Sequence, residues 1–142
     1  MRLLDSVRAP LLCVVLALFA SSARADFETF AIGSAIDTLD HFMQAGVDRN
    51  PSRGAILMES FEVDERRTEY ETRRLYRRER DLLAGYVSIS SDIYGYEIEK
   101  SLFGTSVEVE GGIETEEGLT AEFRARVVYR GNRWLIAHLE IE

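Results

Sequence analysis

The stretch 106–142 constrains the fold more than any other part of the chain. It runs Ser106-Val-Glu-Val-Glu-Gly-Gly-Ile-Glu-Thr, then Glu116-Glu-Gly118, then Leu119-Thr-Ala-Glu-Phe-Arg-Ala-Arg-Val-Val-Tyr-Arg, then Gly131-Asn, then Arg133-Trp-Leu-Ile-Ala-His-Leu-Glu-Ile. Apolar and polar residues alternate in three runs, and glycine turns separate them. A period of two sends successive side chains to opposite faces, so the pattern predicts an antiparallel meander with one face buried. With Glu116–Gly118 as a three-residue loop and Gly118 at positive φ, Thr115 faces Leu119, Ile113 faces Ala121, Val109 faces Ala125 and Val107 faces Val127. The opposite face then pairs Glu110 with Arg124 and Glu108 with Arg126. A slip by one residue would set glutamates against Phe123 and Val127, so the pattern itself specifies the register. Each cross-strand Glu–Arg pair contributes about 0.2–1 kcal/mol, which suits register better than stability.

The second turn admits two registers. A two-residue Gly131-Asn132 loop pairs Tyr129 with Trp134 and Val127 with Ile136. A three-residue loop, 131–133, pairs Val127 with Ala137, Ala125 with Leu139 and Phe123 with Ile141. Leu135, Ala137, Leu139 and Ile141 make the purer apolar face, so the three-residue register is favoured. It places Trp134, Ile136 and His138 on the other face with Val128 and Arg126. Either way both sides of the last strand are partly apolar, as when a helix covers one side and a pocket or partner the other.

The N-terminal segment 1–25 reads as a secretory signal peptide. Arg2 and Arg8 precede an apolar run, Pro10–Ala20, and Ala23-Arg24-Ala25 supplies an A-x-A cleavage site. The run is too short for a spanning helix. Cleavage after Ala25 would leave residues 26–142 as a single domain, exported to the periplasm or beyond and without a stable membrane anchor. The only cysteine, Cys13, lies in the removed segment, so disulfide and thiol chemistry are excluded from the remainder. Taking three basic residues and one acid from the chain's 17 and 25 leaves a net charge of −10. A chain this acidic is not a general nucleic-acid binder. Its basic residues are arginine except Lys100, read as codon bias of a GC-rich bacterial genome.

Helices are expected ahead of the sheet. Ile32, Ala35, Ile36, Leu39, Phe42 and Met43 recur at three- and four-residue spacing and make one apolar stripe. Gly46 suits the position just past that helix. Pro51 opens a short second helix through about Glu59. Residues 61–85 are charge-dense, acidic first (Glu62, Asp64, Glu65, Glu69, Glu71) and basic later (Arg73, Arg74, Arg77, Arg78, Arg80). That order complements the helix dipole, and Leu75, Tyr76, Leu82 and Leu83 form its buried strip. Tyr86–Ser90 and Tyr96–Phe103 alternate as two strands around a turn at 91–95. The fold class is therefore α+β, with N-terminal helices on a curved antiparallel sheet of about five strands.

A long first helix, short helices and a sheet closing on Gly131-x-Arg133-Trp134-Leu135-Ile136, followed by Ala137-His138-Leu139, resembles the nuclear transport factor 2-like superfamily (SnoaL-like, cystatin-like cone). The resemblance covers most of residues 26–142 by element order and the last dozen residues by sequence. It implies a cone-like fold with a pocket between the first helix and the concave sheet face, and a homodimer through the sheet. Enzymes of that superfamily place Asp, Tyr or His in the pocket. No matching catalytic set is present, so none is carried over.

Trp134, Ile136, His138, Tyr129 and Arg126 are the candidate pocket or interface residues. His41 and His138 are the only histidines, too few for a histidine-rich metal site. Asp37 and His41 sit four apart on the first helix, a spacing that usually gives a solvated contact. No third ligand has metal-site spacing. G-x-S-x-G, H-E-x-x-H and Gly-rich phosphate-loop patterns are missing, and Gly111-Gly112 reads as a strand bulge. No catalytic residue, cofactor or metal is therefore assigned. The Arg66–Arg80 cluster suits either an anionic partner or a solvated helix face neutralised by its own acids. The expected function is an exported bacterial non-catalytic binding or interaction module, with a small apolar ligand and a second copy as the partners to expect. The alternative is an isomerase- or cyclase-type enzyme acting between the first helix and the sheet. A pocket with two or more converging polar groups would favour the enzyme.

Overall fold

Four strands, β1 (Tyr86–Ser101), β2 (Gly104–Thr115), β3 (Gly118–Arg130) and β4 (Arg133–Ile141), form one antiparallel sheet in chain order. They follow four helices, α1 (Arg8–Val47), α2 (Pro51–Ala55), α3 (Glu65–Arg78) and α4 (Arg80–Ala84). This computed structural model describes residues 8–60 and 64–142, with side chains from residue 22 onward. Expectations that fall on residues 1–7 and 61–63, and on the side chains of the apolar run, lie outside the described residues. The chain divides into two compact units, 1–31 and 32–142. The described part of the first is helical, and the sheet and remaining helices all belong to the second. Among the described residues no helix is long and apolar enough to cross a membrane.

The α+β order is as expected, but the sheet has four strands where about five were expected. The two strands anticipated around 91–95 are one. Ser91 pairs with Gly111 and Tyr96 with Val109, so residues 92–95 bulge outward opposite Glu110 alone. The Asp-x-x-Gly sequence is a local turn signal, but both flanks pair with the same partner strand in the same direction. The outcome is a bulge, not a hairpin. Gly111 makes room for it, since a Cβ there would fall on the carbonyl oxygen of Ser90.

The β2–β3 register is the one the pattern specifies. Val107 pairs with Val127, Val109 with Ala125 and Ile113 with Ala121, and Glu110 and Glu108 face Arg124 and Arg126. The loop is tighter than expected. Thr115 pairs with Gly118, leaving two loop residues, and Thr120 is the extra residue that restores the register.

At the second turn the favoured three-residue loop is corrected: the loop is the two-residue Gly131-Asn132, Val127 does not pair with Ala137, and Trp134 and Ile136 turn inward, while the far end of the strand keeps the pairs of the three-residue register. Near the turn Tyr129 pairs with Trp134 and Val127 with Ile136; further on Ala125 pairs with Leu139 and Phe123 with Ile141. The strand changes register between them, and Ala137 is the unpaired residue. The physical reason is parity. Trp134 and Ile136 are even-numbered, Leu139 and Ile141 odd, and only a one-residue bulge turns all four to the same face. Gly131 and Asn132 have φ of 58° and 62°, the left-handed pair that a two-residue turn of this hand requires.

Val107, Val109, Ile113, Val127 and Ile136 on the inner sheet face are fully buried, as are Leu39, Phe42 and Met43 of α1. Thr38, assigned by pattern to the polar side, is buried instead, with its hydroxyl donating to the Ser34 carbonyl at 2.8 Å. The segment after α2 runs along the free edge of β4. The Ile136 N–H donates to the Leu57 carbonyl at 2.7 Å, and the Glu59 N–H donates to the Ile136 carbonyl at 2.8 Å.

Candidate functional site

The last turn of α1, the start of α2, and α3 with α4 bound a cleft of about 690 Å³. Helical spacing explains one wall. Arg73 and Arg77 are four residues apart and Tyr76 lies between them, so all three share a face of α3. Arg80, just past the break at Glu79, follows, and all four residues line the cleft. Glu69, one turn earlier, pairs with Arg73 at 2.7 Å. Arg80 meets Asp81 only at 3.4 Å with both side chains in solvent, a contact of little energetic weight.

Arg49, between α1 and α2, lines the same cleft. Past α1 the Arg49 N–H donates to the Gly46 carbonyl at 3.0 Å, and the Asn50 N–H donates to the Ala45 carbonyl at 2.8 Å. These bonds close a Schellman motif, in which the residue after the cap is left-handed. That residue is Arg49, with φ of 54°. The expectation that Gly46 fills this role is corrected, since the helix continues through Val47. Asn50 then caps α2, its side chain accepting the Arg53 N–H at 3.1 Å, and Pro51 follows at the first helical position. The turn thus delivers Arg49 and Pro51 together to the cleft.

Tyr76 supplies the floor. Its hydroxyl donates to the Phe42 carbonyl at 2.6 Å, and its ring lies 5.1 Å from that of Phe42. A Cβ on Gly54 would fall on the Tyr76 hydroxyl oxygen and lie 2.9 Å from Cζ, so the glycine is the niche that the hydroxyl occupies. Burial holds this phenol well above the ordinary tyrosine range, with the charge of Arg53 opposing it. Its proton stays on the oxygen and is spent on Phe42. Val47, Pro51, Leu83 and Ala84 complete an apolar wall. Among the described residues four arginines and no acid line the cleft, in a chain of net charge −8. Guanidinium groups offer planar, bidentate donation to carboxylate or phosphate.

The residues singled out on the last hairpin do not converge. Tyr129, Trp134 and Ile136 share the inner sheet face with Val127. The Tyr129 and Trp134 rings lie 5.2 Å apart, and Ile136 is fully buried. Arg126 and His138 pair with each other on the outer face. There the Arg126 Nε donates to Glu108 at 2.9 Å, and that bond and the Glu108 charge hold the guanidinium protonated more firmly than usual. His138 stands in solvent 4.0 Å from Glu140. The bulge at Ala137 is what separates the two groups, because it sends Trp134 and Ile136 inward while His138 stays out.

A pair that sequence reasoning did not join is Tyr86 and Asp40. The Tyr86 hydroxyl donates to Asp40 Oδ1 at 2.5 Å, linking β1 to α1. Burial, then the Asp40 hydrogen bond and charge, hold this phenol far above its ordinary range. Asp37 and His41 make the exposed contact their spacing suggests, at 3.5 Å. Among the described residues no group of three His, Cys, Asp or Glu side chains is placed to hold a metal ion.

No protein-family model matches this chain, and no curated protein matches it. A solved structure similar to it is that of a DUF4783 family protein from Bacteroides fragilis YCH46. The two are 11% identical with a TM-score of 0.42, over 76% of this chain and 93% of that one.

Proposed function

We propose that this chain is an exported, non-catalytic binding module that takes an anionic ligand in its helical cleft, with a cone-like sheet of the nuclear transport factor 2-like kind behind it. The observation that carries the reading is the set of four arginines lining one cleft, with no acid beside them among the described residues. Like charges gathered around one space repel, and a bound anion would relieve that repulsion while accepting charge-assisted hydrogen bonds. Tyr76 is committed to Phe42, so the cleft offers donors for binding and no poised base or nucleophile for chemistry. Export rests on the basic, apolar and A-x-A order of residues 1–25. The cone-like assignment rests on element order and the closing Gly-x-Arg-Trp motif.

An isomerase- or cyclase-type enzyme is the competing reading, favoured by the Tyr86–Asp40 pair between the first helix and the sheet; the four arginines gathered in the helical cleft are polar groups too, but guanidinium stays protonated and serves binding rather than proton transfer. In the Tyr86–Asp40 pair the phenol proton is held by Asp40 Oδ1, and burial keeps it on the oxygen. The test is a melting-temperature screen of the full chain against small carboxylates, phosphates and sulfates. A ligand at a hundred times its Kd stabilises by about 2.7 kcal/mol. Wild type should respond to anions, and Arg77→Gln should respond less. A wild-type protein indifferent to every anion would overturn the reading. Intact-mass analysis of exported material tests the cleavage after Ala25.

A further inference from the structure

We infer that the cleft is shaped for a phosphate group carried on an apolar body, and that Arg49 is retained to hold that phosphate; this rests on the anion-binding reading of the cleft. Arg49 occupies a left-handed position, φ 54°, immediately after α1. Glycine fills such positions without steric penalty, whereas an L-residue is disfavoured there. Strain of this kind persists where a side chain serves a purpose. Here the residue lines the cleft.

Charge points to the head group. Arg73 and Arg80 have Glu69 and Asp81 as partners. Neither Arg49 nor Arg77 is held by a carboxylate among the described residues. Two uncompensated guanidinium groups match a phosphate monoester, which carries about −1.5 to −2 at neutral pH, better than a lone carboxylate. Size and lining point to the body. A cavity of about 690 Å³ far exceeds what phosphate alone would fill, and lies in the range of sites for whole small molecules. Val47, Pro51, Leu83 and Ala84 give an apolar chain a surface to lie on.

The experiment titrates the full chain with octyl phosphate, inorganic phosphate and octanol, followed by calorimetry and melting temperature. Octyl phosphate should bind at least about tenfold more tightly than the other two, since several buried CH2 groups and a charge-assisted head each exceed a factor of ten. Arg49→Gly should raise the ligand-free melting temperature by about 3–8 °C, as relief of one left-handed residue does in a domain of this size. The same variant should weaken octyl phosphate binding about tenfold or more. Arg49→Lys, which keeps charge but loses the guanidinium fork, should fall between. Arg74→Gln, on α3 outside the cleft, should bind as wild type does. Vesicles containing phosphatidic acid, against neutral vesicles, separate a lipid headgroup from a free organophosphate; capture of the acidic vesicles alone would identify the lipid as the source. If Arg49→Gly binds octyl phosphate as tightly as wild type, the inference fails and the anion cleft stands. Equal affinity for inorganic and octyl phosphate removes the apolar body. If wild type binds no anion at all, the underlying reading fails with it.

Discussion

The fit of the Tyr76 hydroxyl into the space above Gly54 gives a quantitative prediction about what holds the cleft open. Tyr76→Phe removes the donor to the Phe42 carbonyl, at a cost of about 0.5–1.5 kcal/mol for one buried hydrogen bond. Gly54→Ala puts a methyl where that hydroxyl sits. Overpacking of this kind costs about 1–3 kcal/mol, partly offset by about 0.8–1.0 kcal/mol of helical preference for alanine over glycine. In the double variant the hydroxyl is gone and the methyl takes its place. Tyr76 Cζ at 2.9 Å and Thr72 Cγ2 at 3.1 Å still crowd it, so the ring must shift to admit the methyl, but the overlap with the hydroxyl oxygen is gone. The second substitution should then cost less than it does beside the hydroxyl, so the cycle should show about 1 kcal/mol of favourable coupling. Urea unfolding of the full chain followed by circular dichroism, with Trp134 fluorescence as a second probe, measures all four corners. Losses that add within about 0.5 kcal/mol would refute the packing described for this niche.

Alkaline stability follows from the two buried phenols. Tyr76 and Tyr86 are both held above their ordinary range, so in the unfolded chain they ionise first, near pH 10. Their contribution is complete below that pH and is lost as pH rises above it; Tyr76→Phe and Tyr86→Phe should each flatten the alkaline fall in melting temperature, and an unchanged fall in the double variant would contradict this. Arg124 Nε and Glu110 Oε1 are 2.6 Å apart and exposed, so reversing either charge should cost no more than about 1 kcal/mol. Reversing both should recover the loss at low salt; two losses that simply add would mean the pair does not interact. Trp134 is half-buried against Tyr129, so Trp134→Ala should cost roughly half of the 3–5 kcal/mol typical of a fully buried aromatic. Sedimentation run beside the melts would show whether it also holds two copies together, and an unchanged melting temperature would contradict its role in the fold.

Alternation in 106–142 was legible because period two leaves one register that buries Val107, Val109 and Val127 while pairing Glu108 and Glu110 with arginines. Single-residue insertions were not legible, because Thr120 and Ala137 are bulged by the packing around them rather than by their own chemistry. A signal for the second existed in the parity change between Ile136 and Leu139. The arginine row was half visible: the spacing of Arg73 and Arg77 is in the sequence, but their shared cleft is not. Arg49 joins them only because α1 runs one residue past Gly46 and closes on a left-handed arginine, a position normally signalled by glycine. Likewise no local pattern ties Tyr76 to Gly54, or Tyr86 to Asp40 across 46 residues.

Ligand should bind among the helices and not at the closing hairpin of the sheet. Nuclear magnetic resonance separates the two by the arginine Nε–H signals and the Trp134 indole signal during a titration with octyl phosphate. The signals of Arg49, Arg73, Arg77 and Arg80 should move together and saturably, while Trp134 and His138 stay still. Saturable movement of Trp134 and His138 with the four arginines unmoved would contradict the account.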